Sequence, residues 1–140
     1  MEKKQYKLEI QSDPKELSRV ENFVDILAQE SRMDPDKIPG FLLSVTEAIT
    51  NAIIHGNKKD SAKIVTLNAF LEENKLVLHI KDQGAGFDPS KIPDPTEPEN
   101  LLKDSGRGLY LMRYHAESLA YNITPEGTET ILTLILNNKT

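Results

Sequence analysis

Glu47-Ala-Ile-Thr-Asn51-Ala-Ile-Ile-His55-Gly56-Asn57 decides how this chain is read. At about 100° per residue, Glu47, Asn51 and His55 form one stripe on a helix. The stripe lies off the apolar face made by Phe41, Val45, Ala48, Ile49 and Ala52. Such a stripe is most often a solvated polar face, but two details argue against that here. Leu43 and Ile54 flank Glu47 on the same side, which predicts that something covers the stripe. Asn51 sits in mid-helix, where its side chain competes with the backbone. An amide oxygen suits Mg²⁺, a hard cation that takes oxygen ligands and keeps several waters. Glu47, one turn away, can orient a metal-bound water or accept a proton from an attacking hydroxyl. His55, beside Gly56, reads as a helix C-terminal cap. His79 and His115 have no ligand spacing and read as structural.

Further along, Asp82-Gln-Gly84-Ala-Gly86-Phe87 ends a strand. Alternation puts Asp82 on the side of Leu76, Leu78 and Ile80, the expected buried side. An inward carboxylate is costly unless it is paired. It can cap backbone amides in the turn, or accept the exocyclic amine of an adenine. Gly84 and Gly86 favour the second reading, because they remove side chains where a flat ring or a phosphate approaches. Ser105-Gly106-Arg107-Gly108-Leu109 opens another helix, whose free amides attract anions. Arg107 adds charge for a terminal phosphate. Four of the chain's seven glycines lie in these two turns, which disfavours a simple hinge. Gly127-Thr128 offers a hydroxyl beside Asp82 and so joins the candidate adenine contacts. Taken by itself, the pair reads as an ordinary turn. Neither G-x-G-x-x-G opening a helix nor G-x-x-x-x-G-K-[ST] is present, so the familiar phosphate loops are disfavoured.

The rest of the chain frames these motifs. A strand is expected over Tyr6 to Gln11 and a helix from Ser12-Asp13-Pro14 to about Ser31. The Glu47 helix starts around Asp36 to Gly40 and ends at Gly56. Strands over Ile64 to Leu71 and Leu76 to Asp82 form a hairpin turning at Glu72-Glu73-Asn74. Pro89, Pro93, Pro95 and Pro98 break up the following segment, which is expected to be a flexible lid at about 88–105 closing over a nucleotide. A third helix, Leu109 to Glu117, precedes strands over Leu119 to Ile123 and Thr130 to Leu136. The order implies an α+β fold, a two-layer α/β sandwich whose mixed, mostly antiparallel sheet is covered on one face by helices. At 140 residues the chain fits a single domain with a substantial core. A net charge of −5 argues against bulk binding to nucleic acid or anionic membrane. With no cysteine, disulfides, thiolate metal sites and cysteine nucleophiles are excluded. No secretory leader is expected at the N-terminus, no apolar stretch is expected to reach membrane-spanning length, and a cytoplasmic location is the default.

Together, the three motifs resemble the serine-protein kinase, anti-sigma-factor branch of the ATPase superfamily that includes gyrase B, heat-shock protein 90, sensor histidine kinases and the MutL mismatch-repair proteins. The resemblance runs from the first strand to the last. Glu47-xxx-Asn51-xxx-His55-Gly56-Asn57 is similar to the family's N box, Asp82-x-Gly84-x-Gly86-Phe87 to its first glycine box, and Gly106-Arg107-Gly108-Leu109 to its second. The resemblance implies the Bergerat-type, histidine kinase-like ATPase fold, with ATP and Mg²⁺ as cofactors. Asn51 would hold Mg²⁺, Asp82 would bind adenine, the glycines would line the phosphates and Glu47 would be the base. The substrate would be a serine or threonine on an anti-anti-sigma (STAS-type) protein. Similar proteins are homodimers that also bind a sigma factor.

Two function classes follow: an ATP-dependent serine/threonine-protein kinase, or an ATP-binding module that sequesters a partner without phosphorylating it. The catalytic half of a sensor kinase would need a phospho-accepting histidine on a helix pair, which the reading leaves no room for. A gyrase-like or chaperone-like machine would need a further domain.

Overall fold

In the computed structural model, residues 4–84 and 118–137 are described. The chain runs β1 (Lys4–Gln11), α1 (Leu17–Glu30), α2 (Ile38–Asn51), β2 (Ile64–Glu72), β3 (Lys75–Lys81), β4 (Ser118–Thr124) and β5 (Gly127–Ile135). The strands form one sheet in the order β1-β2-β3-β5-β4. The mostly antiparallel sheet expected is antiparallel in all four pairings of the described strands. β3 therefore lies at the centre of the sheet.

Each helix begins at an Asp-Pro pair. The Asp13 carboxylate accepts from the Lys15 amide at 3.0 Å, and the Asp34 carboxylate from the Asp36 amide at 3.0 Å. Proline follows each cap, where its missing N–H costs nothing. A single 3₁₀ turn then leads into each α-helix. α1 buries Val20, Phe23, Val24, Leu27 and Ala28, and α2 buries Phe41, Val45, Ala48 and Ile49. These faces pack on one side of the sheet against Ile10, Val65, Leu67, Leu76, Leu78, Ile80, Leu132 and Leu134. The opposite sheet face carries half-buried residues such as Asn68, Phe70, Val77 and His79.

The hairpin between β2 and β3 turns at Glu73-Asn74, within the stretch expected. β4 extends one residue beyond its expected span at each end; β5 starts three residues earlier than expected and ends one residue short of it. The proposed third helix and the 88–105 lid lie outside the described residues, as does His115.

α2 does not stop at Asn51 as a regular helix. It widens into a π-helical turn over Ala52–Gly56, in which the Asn57 amide reaches back to the Ala52 carbonyl at 2.8 Å. Lys58 and Lys59 then take left-handed backbone angles, with φ of 55° and 58°. Upstream, the hydroxyls of Thr46 and Thr50 donate to the carbonyls of Leu42 and Thr46 at 2.9 and 2.7 Å. Such back-bonding loosens a helix locally, and π turns are frequent at functional sites.

One expectation needs correction. The continuous helical run Pro35–Gly56 is 22 residues long and apolar enough to cross a membrane by length and composition. Its fully buried Phe41, Val45 and Ile49 instead belong to the core cluster shared with the sheet, and Glu47 and Asn51 interrupt it. The run is a core helix.

Candidate functional site

Asp82 follows directly on β3, and its inward direction is the one strand alternation requires. Its side chain is buried, with the residue 1% exposed. The Asp82 amide donates to the Thr128 carbonyl at 3.0 Å, which carries the β3–β5 pairing one step past the strand end. Oδ1 accepts from the amides of Gly84 and Thr128, at 3.0 and 3.1 Å. Oδ2 is buried and, among the described residues, has no hydrogen-bond partner. The two readings of Asp82 thus divide between its two oxygens: one caps the turn, and the other is left for something else. A buried carboxylate oxygen without a donor is expensive.

Burial pushes the Asp82 carboxyl above the usual range, against the opposing pull of the Thr128 and Gly84 amides and the charge of Lys63. A ligand donor at Oδ2 would favour the ionised form.

Glycines close around this carboxylate. A Cβ on Gly56 would run into Oδ2 and Cγ of Asp82, and one on Gly84 would run into the Gly56 carbonyl. The expected reason for Gly84 was room for a ligand. Instead, its missing side chain admits the backbone of the Glu47 helix end. Gly127, with φ at 149°, has its Cα against the Asp82 carbonyl.

The structure therefore brings together Asp82, Gly84 and the backbone of Thr128, and adds Gly56 and Gly127. Gly56 was read only as a helix end, and its packing against Asp82 is invisible in local sequence. Asn51 and Glu47 lie back along α2 from Gly56, by about 7 and 13 Å at 1.5 Å per residue. Both are half-buried. Burial also raises the Glu47 carboxyl above its ordinary value. Leu43 and Ile54, expected to be covered, are 37% and 38% exposed. Gly86, Ser105, Gly106, Arg107, Gly108 and Leu109 lie outside the described residues.

The site's donors fit the groups the motifs suggested. Oδ2 of Asp82 matches an amine donor, and among the described residues no side chain donates to it. Among the described residues no group of three or more His, Cys, Asp or Glu side chains is placed to hold a metal ion. Asn51 offers one hard oxygen, which suits Mg²⁺ bound mainly through phosphates and water.

Residues 10–134 match the family model described as the histidine kinase-like ATPase domain. The chain is similar to anti-sigma F factors. It is 33% identical to that of Bacillus licheniformis over 82% of this chain and 83% of the relative. It is 32% identical to that of Bacillus subtilis over the same shares, and 30% identical to that of Clostridium perfringens over 81% and 85%.

Among solved structures, the RsbU and RsbW domains of a Mycobacterium tuberculosis protein share the fold, with a TM-score of 0.70 at 16% identity. That match covers 95% of this chain and 32% of the longer one. A blue-light-activated histidine kinase domain of Erythrobacter litoralis aligns with a TM-score of 0.56 at 16% identity, over 86% of this chain and 59% of that one. The chain belongs to the histidine kinase-like ATPase domain family, in the branch that holds the anti-sigma F factors.

Proposed function

We propose that this protein is an ATP-dependent serine/threonine-protein kinase that acts as an anti-sigma regulatory factor. The observation that carries the reading is the divided Asp82 carboxylate, with Oδ1 held by two amides and Oδ2 buried and unmet. That arrangement suits the 6-amine of adenine.

The order of groups along α2 supports the rest. Asp82 meets the helix at Gly56, Asn51 follows at about 7 Å, and Glu47 at about 13 Å. The same order runs along ATP from base, through the phosphates, to the terminal phosphoryl group. Bound MgATP supplies the phosphoryl group and the charge neutralisation on which such transfer depends. Asn51 would hold Mg²⁺ through its amide oxygen. Glu47 accepts the proton of the attacking serine or threonine hydroxyl. Its raised affinity for protons, from burial, moves it toward the range of an effective base. Gly84 belongs to the adenine end, as does Thr128. Gly86, Ser105, Gly106, Arg107, Gly108 and Leu109 remain our candidates for the phosphates.

Kinship with the anti-sigma F factors supports the partners. The substrate is an anti-anti-sigma (STAS-type) protein, the sequestered target is a sigma factor, and the active form is a homodimer. A cytoplasmic location accords with partners of that kind. The whole reading fits one domain over residues 1–140 with a lid at about 88–105.

The test is incubation with MgATP and an anti-anti-sigma-type protein, followed by mass spectrometry of both. The expected result is one phosphate on a serine or threonine of the partner. Binding of ATP and partner with no mass gain would leave a sequestering module and remove the kinase.

A further inference from the structure

Asn57 ends the motif that opens with Glu47, yet no role follows from its sequence position. Its side chain is buried, with the residue 1% exposed. Its amide nitrogen donates to the Ser12 hydroxyl at 2.6 Å and to the Ile64 carbonyl at 3.0 Å. Its Oδ1 accepts from the Gln83 amide at 2.7 Å. Four chain segments meet on this one side chain: the end of β1, the foot of the π-helical turn, the start of β2 and the turn after β3.

Neighbouring bonds brace the same junction. The Ser12 hydroxyl donates to the Lys63 carbonyl at 2.8 Å, and the Ile64 amide donates to Gln83 Oε1 at 2.8 Å.

Gln83 stands between Asp82 and Gly84. Its amide is held by Asn57, and the next amide, of Gly84, is held by Asp82 Oδ1. Asn57 also follows Gly56, whose Cα faces Asp82 Oδ2 and whose carbonyl touches Gly84. The orientation of the carboxylate thus depends on the latch that joins the helix end to the turn.

We propose that Asn57 is a positioning residue for the purine site: through the Gln83 amide it fixes the Asp82 carboxylate, and with it the preference for a 6-amino over a 6-oxo purine nucleotide. This rests on the ATP reading above. Asn57 makes no contact with the nucleotide in this account and acts only through Asp82. Loss of the latch therefore removes the amine-specific part of binding and spares the rest.

The experiment is calorimetric titration with ATP and with inosine triphosphate, which has an oxygen in place of the amine, both with Mg²⁺. Wild-type protein should prefer ATP by about tenfold or more, the scale of one hydrogen bond to a charged group. Asn57→Ala should weaken ATP binding about ten- to a hundredfold, leave inosine triphosphate within about threefold, and so abolish the preference. Adding Asn57→Ala to Asp82→Asn should cost nothing further for ATP, because the two act through one contact.

Asn57→Ser, too short to reach the Gln83 amide but retaining a hydroxyl near Ser12, should behave as the alanine variant does and serves if that variant does not fold. A parallel loss of both nucleotides would reduce Asn57 to a scaffold residue and overturn the proposal, as would an unchanged preference. If wild-type protein binds neither nucleotide, the ATP reading itself fails. If wild type discriminates and Asn57→Ala discriminates equally, only the latch fails.

Discussion

Phosphoryl transfer should fall by roughly 10²–10⁴ in Glu47→Ala, while ATP should bind as tightly as to the wild type. The split follows from position. Glu47 lies about 13 Å along α2 from the residue that touches Asp82, so the adenine site does not sense its loss. What should disappear is the proposed acceptor for the hydroxyl proton.

The pH profile adds a second readout. Burial raises the Glu47 carboxyl, so as the proposed base it would gain a proton and lose that function as pH falls through a value above the ordinary glutamate range. The wild-type rate should therefore decline on the acid side earlier than an unperturbed glutamate would dictate. The residual rate of Glu47→Ala should lack that limb. Single-turnover transfer to the partner across pH, with nucleotide affinity measured in parallel, checks both. A variant that phosphorylates at the wild-type rate, or one that no longer binds ATP, contradicts the role.

Gly84→Ala damages the protein in a different way. The new methyl group would meet the Gly56 carbonyl, a backbone group that cannot swing aside as a long side chain can. Either the turn after Asp82 or the end of the Glu47 helix must shift. Overpacking of this kind costs about 1–3 kcal/mol. The shift also breaks the alignment of Asp82 with the helix, so ATP affinity falls together with the denaturation midpoint. Urea unfolding and nucleotide titration of the same sample test this. A variant with the wild-type midpoint and affinity would mean that the close approach of the two backbones is dispensable.

Much of the fold was legible because it follows from short-range periodicity. The 3.6-residue spacing of Phe41, Val45, Ala48 and Ile49 identified the core face of α2, and alternation from Leu76 to Ile80 pointed Asp82 inward. The start of α1 was marked by its Asp13-Pro14 pair. The π-helical turn after Asn51 left no mark, because one extra residue in a turn does not change the apolar pattern on either side.

The individual role of Asp82 was only half legible. Alternation predicts its direction but cannot divide the work of its two oxygens, which depends on amides as far away as Thr128. Asn57 was harder still. Its partners stand 45 residues before it and 26 after it, at Ser12 and Gln83, and no local spacing links them. Leu43 and Ile54, the apolar pair that suggested a cover for the stripe, are both exposed.

Asp82→Asn probes directly whether Oδ2 of Asp82 holds the amine of ATP. Two backbone amides anchor the oxygen at Oδ1, so the new NH₂ must take the place of Oδ2 and present a donor to a donor. In titrations with MgATP, the account predicts saturable binding at one site per chain for the wild type, and binding at least about tenfold weaker for Asp82→Asn with folding retained. No heat of association with the wild type, or equal affinity in the two proteins, would contradict it.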